Sequence, residues 1–275
     1  MKLNRLLPYT LIILLAMSFA ACSDNGSGTD GENDAPSIPD LVANAQPDIS
    51  FFQNNNPSVA NKKGNANSTV QNFNTAKGTV LGGAGFLSIG QLYFGFISPA
   101  MQEDADFIDG QYVWEYSFAQ GGQSASIRTT ARPQGDGFEW AVFISADDGE
   151  GNVFDNFRIM EGTTSNDGAQ GDWTFFLFDE EGNTSGPLLT SSWNVISETE
   201  SSINLQIFGE DGETGTISFQ ENGAENLMNF DFPDEEDQIE VFWNIDTSVG
   251  YIMQGTERNC WDGSFQDISC AEVGL

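Results

Sequence analysis

The sequence predicts a mainly β protein: about ten antiparallel strands in a meander that curls into a barrel or half-barrel, with an N-terminal apolar helix packed on it. Three observations point to that class. From Gln111 onward, apolar residues recur at every second position. The alternating runs are separated by short clusters of Gly, Asn, Asp and Glu. The stretch 78–102 ahead of them is apolar and uncharged. A period of two marks half-buried strands, and short turns can join only antiparallel neighbours. A meander of that length has to curl or close.

In chain order, the first element is an address. Lys2 and Arg5 stand at the start with no acid, residues 6–21 run apolar, and Ala20 and Ala21 precede Cys22. A basic head, a short apolar core and small residues at the cut make residues 1–21 a secretory signal peptide. The run is short for a membrane span, and Pro8 interrupts it. Phe19-Ala20-Ala21-Cys22 resembles the lipobox of bacterial lipoproteins, with Phe where Leu is usual. The resemblance implies acylation of Cys22. The alternative is an ordinary signal peptide with a chance cysteine. Residues 22–50 read as a disordered tether, since 23–36 is rich in Ser, Gly, Asp and Asn and has no aromatic residue. Ser23-Asp24 resembles the export tags of surface lipoproteins in Bacteroidota-like bacteria. The implied location is the bacterial outer membrane, lipid-anchored, facing the periplasm or the cell surface.

Residues 51–101 form the next unit. Ile49, Phe51 and Phe52 are expected to dock on the domain. The segment 78–101 reads as a helix starting before Lys77 and ending near Pro99. Its glycines Gly78, Gly82, Gly83, Gly85, Gly90 and Gly95 are too many for a comfortable membrane span but suit close packing on a sheet. A second membrane span is the alternative.

The strand region is 102–255. Tyr112, Trp114, Tyr116 and Phe118 alternate with Val113, Glu115 and Ser117. Similar runs centre on Trp140, Trp173, Trp193, Leu205 and Trp243. Asp211-Gly212 and Asn222-Gly223 are tight hairpin dipeptides, because both residue types tolerate positive φ. Residues 256–275 are a tail closed by Cys260 and Cys270. With Cys22 acylated these two remain as a pair, and outside the cytoplasm the simplest reading is a disulfide. A zinc site is the rival, but such sites usually take four ligands and the chain has no His.

Composition narrows the function. The formal net charge is −32, and losing residues 1–21 removes two cations and no acid, giving −34. Nucleic acid is excluded as a partner, since phosphate contacts need Lys and Arg. Without His the commonest general base, the Ser-His-Asp triad and most transition-metal sites are gone. Lys62, Lys63 and Lys77 lie before the strands in no Ser-x-x-Lys motif, and Gly82-Gly83-Ala84-Gly85 is followed by no phosphate-binding Lys. The chain is therefore expected not to be an enzyme. Among 41 acids a carboxylate pair at glycosidase spacing arises by chance. Glu115 and Glu139, each between aromatics in a strand, read as the solvated face.

No cofactor is expected, calcium apart. Asp104, Asp106 and Asp109-Gly110 approach the EF-hand spacing with one residue too many, and Asp147, Asp148, Glu150 and Asn152 form a second acidic loop. Solvated turns are the plainer reading of both. Trp114, Tyr116, Trp140, Trp173, Trp193 and Trp243 either fill a core or line an apolar cavity. A helix-capped, Trp-rich half-barrel is similar to the periplasmic lipoprotein-carrier and lipoprotein-receptor folds, which hold acyl chains. The Trp114-x-Tyr116 strand, Gly171-x-Trp173 and the tail cysteines look like lipoproteins of Bacteroidota-like marine bacteria, a likeness that implies no activity. The function expected first is an anchored, non-enzymatic β-domain binding an apolar or amphipathic ligand. The alternatives are a calcium-dependent adhesion or glycan-binding surface module, and a structural envelope protein with a filled core. The expected partners are the membrane, through acyl chains on Cys22, and a lipid or glycan.

Overall fold

The computed structural model describes residues 35–36, 47–57, 69–97, 100–102, 104–147, 149, 153–178, 184–209, 212–233 and 238–275. The signal peptide, Cys22, most of the tether, Lys62, Lys63, Asp148, Glu150, Asn152 and Asp211 fall outside them. Helix α1 is Ser50–Asn54 and helix α2 is Gln71–Ile97, followed by a 3₁₀ turn at Ala100–Gln102. The strands are β1 (Asp106–Ile108), β2 (Gln111–Gln120), β3 (Gln123–Gln134), β4 (Gly137–Asp147), β5 (Val153–Ser165), β6 (Gln170–Phe178) and β7 (Thr184–Ser197). They continue with β8 (Glu200–Phe208), β9 (Thr214–Asn222), β10 (Glu225–Asp231), β11 (Ile239–Asn244), β12 (Gly250–Gln254), β13 (Glu257–Trp261) and β14 (Asp267–Ile268). A short helix α3, Cys270–Val273, follows.

All fourteen strands belong to one sheet, ordered β1 to β14 without a crossover and paired antiparallel. The order does not return on itself, so the sheet is open, a half-barrel or curled sheet and not a closed barrel. Among the described residues the count exceeds the expected ten by four. Strands β1, β12, β13 and β14 hold three, five, five and two residues, too few to display a period.

Two-residue loops set much of the register. Asp109-Gly110 joins β1 to β2 with φ of 52° and 81°, and Gly121-Gly122 joins β2 to β3 with 64° and 90°. Both pairs need the left-handed region, which is why Asp-Gly and Gly-Gly stand there. At β9–β10 the loop is Gly223-Ala224, with Asn222 paired to Glu225, so the turn sits one residue later than Asn222-Gly223 suggests.

The inner face is a large-to-small mosaic. One row across β2 to β7 reads Tyr112, Ala131, Trp140, Gly162, Trp173, Ser191. Large rings stand beside Gly, Ala or Ser, which leaves room for them to interlock. Helix α2 lies against β12, β13 and β14 at one end of the sheet and against β3 at the other. Phe73, Ala76, Val80 and Ile97 are buried on it. Gly83 is a close approach: a Cβ there would lie 2.9 Å from Phe230 Cζ. Gly78, Gly82 and Gly85 face open space, which corrects the expectation of a glycine-lined contact. At 3.6 residues per turn, 76, 80 and 83 share one face and 78, 82 and 85 the other. Among the described residues no helix is long and apolar enough to cross a membrane.

The N-terminus of α2 is tied to the tail. Asp267 on β14 accepts from the backbone N–H of Asn72 at 2.9 Å and of Gln71 at 3.3 Å, and from the Thr69 hydroxyl. A carboxylate there satisfies orphan N–H groups and meets the positive end of the helix dipole. The Asn72 amide donates to Cys260 O at 2.9 Å. Cys260 and Cys270 form a disulfide with Cα atoms 5.2 Å apart. Phe52 of α1, as expected, is fully buried, with its ring 4.9 Å from Trp243 and 5.5 Å from Phe73.

Candidate functional site

All six tryptophans of the chain are buried, with Trp114, Trp140, Trp173, Trp193, Trp243 and Trp261 between 0% and 4% exposed. Four of them run as a ladder across β2, β4, β6 and β7. Trp114 and Trp140 stack at 6.0 Å, Trp140 and Trp173 meet at 6.2 Å, and Trp173 and Trp193 stack at 6.2 Å. The Trp140 indole N–H donates to Thr164 Oγ1 at 2.9 Å and that of Trp193 to Gly168 O at 3.0 Å. Tyr116 is half-buried beside Phe118. The predicted aromatic set therefore shares one face, and its rings are spent on each other and on the core. Trp261 was missed by sequence reasoning because it ends a five-residue strand next to Cys260. It donates from its indole N–H to Ser248 O at 2.9 Å. Thr129 Oγ1 and Trp243 Nε1 are buried and meet no hydrogen-bond partner among the described residues.

The acidic trio does not converge. Asp104, Asp106 and Asp109 are exposed, Asp106 pairs with Val113 in the ladder, and Asp109 makes the hairpin turn. Among the described residues no group of three or more His, Cys, Asp or Glu side chains is placed to hold a metal ion.

The shaped surface lies on the other side of the sheet. A groove of about 470 Å³ crosses the outer face of β3 to β6, within the range of small-ligand sites. It is lined by Arg128, Arg132, Glu139, Phe143, Arg158 and Glu161, with Thr130, Thr163, Asp172 and Thr174 along it. The cations of the described residues are Lys77, Arg128, Arg132, Arg158 and Arg258, so three of five gather here in a strongly acidic chain. Arg132 lies 3.7 Å from Glu139, and Arg158 is ion-paired with Glu161. Arg128 has a neutral partner instead, donating to Asn156 Oδ1 at 2.7 Å, and its guanidinium sits 4.8 Å from the Phe143 ring centre.

Two irregularities in the β4–β5 ladder build this groove. The register shifts between Val142 and Phe143, leaving Ile159 unpaired and setting Arg158 opposite Phe143. It shifts again between Ile144 and Ala146, where Asn156 takes φ 52°. Asn156 is held there by its backbone N–H to Ser145 Oγ at 2.8 Å. A bulge re-aims side chains that a regular ladder would place elsewhere.

Two further features complete the outer surface. A recess of about 580 Å³ lies at the ends of β3 to β7, beside Gly137, Thr164, Gly171 and Trp193. At its rim the Ser165 hydroxyl, and then the Ala169 N–H, hold the Asp167 carboxyl below its ordinary range. On β11 to β13, Tyr251 stacks on Phe242 at 5.4 Å, lies under Arg258 at 4.3 Å and donates to Glu240 Oε1 at 2.6 Å. Burial first, then the Glu240 carboxylate, push the Tyr251 phenol up to about 12. Comparison with protein-family models, curated proteins and solved structures gives no match to this chain.

Proposed function

We propose that the chain is an outer-membrane lipoprotein, anchored by acyl chains on Cys22, whose β-domain is a non-enzymatic recognition module that takes its ligand on the outer face of the sheet. The observation that carries the second half is the burial of all six tryptophans at 4% exposure or less. An inner face packed to that degree is scaffold, and the arginine-lined groove of about 470 Å³ is a shaped, charged surface on the outer face. The anchor rests on the lipobox resemblance at 19–22 and on the Ser/Gly/Asp/Asn-rich tether behind it. A body at −34 is repelled by anionic headgroups, which favours a domain standing off the lipid surface with its outer face free.

Carriage of an amphipathic molecule on the inner face is the second reading. It is favoured by the buried, unpartnered Thr129 Oγ1 and Trp243 Nε1, polar handles that a bound molecule can satisfy. Amide-shift mapping on the full chain carrying Cys22→Ala separates the two. Shifts at Arg128, Phe143 and Glu161 on adding a saccharide library support the outer groove. Shifts confined to Thr129, Trp114 and Trp243 on adding lysophosphatidylcholine would overturn it.

A further inference from the structure

The outer groove has more chemical detail than its position. Its three guanidinium groups are balanced in number by three carboxylates, and Arg132 is matched by Glu139 and Arg158 by Glu161. Asp172 accepts from the Thr163 hydroxyl. Arg128 is the exception. Among the described residues it contacts the amide of Asn156 and the face of Phe143, both neutral. Its Cα partner in the ladder is Glu115, which is exposed and forms no ion pair with it among the described residues. The guanidinium is thus a half-buried monocation, fixed in direction by a bulge residue below and an aromatic ring beside it. Its Nε is buried and meets no hydrogen-bond partner among the described residues.

Those features select a ligand class. A guanidinium with no ion-pair partner among the described residues suits one carboxylate, which it can grip through two parallel N–H···O bonds. A phosphate dianion would call for more free positive charge than this groove holds. Around Arg128 the lining holds hydroxyls and carboxylates: Thr130, Glu139, Thr163, Asp172 and Thr174. Such a set offers both donors and acceptors to neighbouring hydroxyl groups. The volume of about 470 Å³ accommodates one or two sugar rings. We infer that the groove binds an acidic saccharide, with the carboxylate of a uronate residue on Arg128 and the sugar hydroxyls on the Thr and acid side chains of β3 to β6. This rests on the outer-face reading above and gives it a ligand class.

The test is calorimetric titration of the full chain carrying Cys22→Ala with trisaccharides of galacturonate, mannuronate and guluronate, each beside its methyl ester. It is run in 0.15 M NaCl, with amide-shift mapping of any complex. The expected result is that at least one acid binds at least tenfold more tightly than its ester, with shifts at Arg128 and Phe143. Arg128→Met should weaken the acid at least tenfold and leave the ester unchanged. Arg128→Lys should recover part of the loss, since it keeps the charge without the fork. The melting temperature of each variant checks that the fold is kept. Equal binding of acid and ester in the groove would overturn the carboxylate assignment and leave the outer-face reading standing. Absence of any groove shift with all six saccharides would overturn the inference, and inner-face shifts with lysophosphatidylcholine would then remove the outer-face reading as well.

Discussion

Glycine and tryptophan are used as a pair in this sheet. Gly162 lies between Trp140 and Trp173, Gly171 pairs with Trp193, and Gly250 lies between Trp243 and Trp261. A Cβ on Gly171 would fall 2.6 Å from Thr163 O and inside the Trp193 ring edge. Gly171→Ala is expected to destabilise by about 2 kcal/mol in urea titration, the usual cost of overpacking. Gly78→Ala, which meets open space on an α2 face, should stabilise by roughly 0.5–1 kcal/mol. Equal effects would mean that the ring contacts carry no weight. Gly171-x-Trp173 was visible in the sequence, but its meaning was not. Which ring covers which glycine depends on register between strands, and register is a tertiary property. Tyr251 supplies a second residue-scale test. Its folded pKa of about 12 exceeds its ordinary value of 10.0. The neutral phenol is favoured in the fold, so its contribution is complete below pH 10 and is lost as pH rises towards 12. Tyr251→Phe should abolish that part of the alkaline destabilisation, as read by melting temperature from pH 9 to 12. An unchanged alkaline slope would count against it.

At the scale of elements, the long helix is held by its ends. Sequence alone placed α2 within a few residues, because an apolar, charge-free run bounded by Pro99 has few other readings. It could not show that the helix is capped from 195 residues away by Asp267. Asp267→Ala should cost about 1 kcal/mol, as loss of an N-cap does, and should raise amide exchange first over 70–74. Uniform exchange along α2 would show that the cap does not matter. Asp267 sits inside the loop closed by Cys260 and Cys270, so reduction acts at the same place. Reduction should remove roughly 2–3 kcal/mol of stability and loosen β13, β14 and the start of α2 together. The candidate groove was the least legible element. Arg158 and Asn156 reach it only because β5 is bulged twice, and a period-two reading assumes no extra residue.

For the whole molecule, charge and burial set the behaviour. A formal charge of −32 on 275 residues makes self-repulsion a general cost. The melting temperature should rise by several degrees as NaCl goes from 0.01 M to 0.5 M, because the screening length falls from about 30 Å to a few ångströms. No rise would mean that the acids are already balanced by bound counterions. The anchor is tested by fractionation: Cys22→Ala should move the protein from the membrane to the soluble fraction. Persistence in the membrane would point to another attachment. The fold class was legible because alternation and turn chemistry repeat along the chain, whereas the choice between an open cavity and a filled core was not. Both use the same aromatic stripe, and only packing across strands separates them. The most direct measurement of that choice is native mass spectrometry of the Cys22→Ala chain after mild purification. The expected spectrum shows the bare polypeptide mass, because six tryptophans at 0–4% exposure form a filled inner face. A stoichiometric adduct of lipid mass would contradict it.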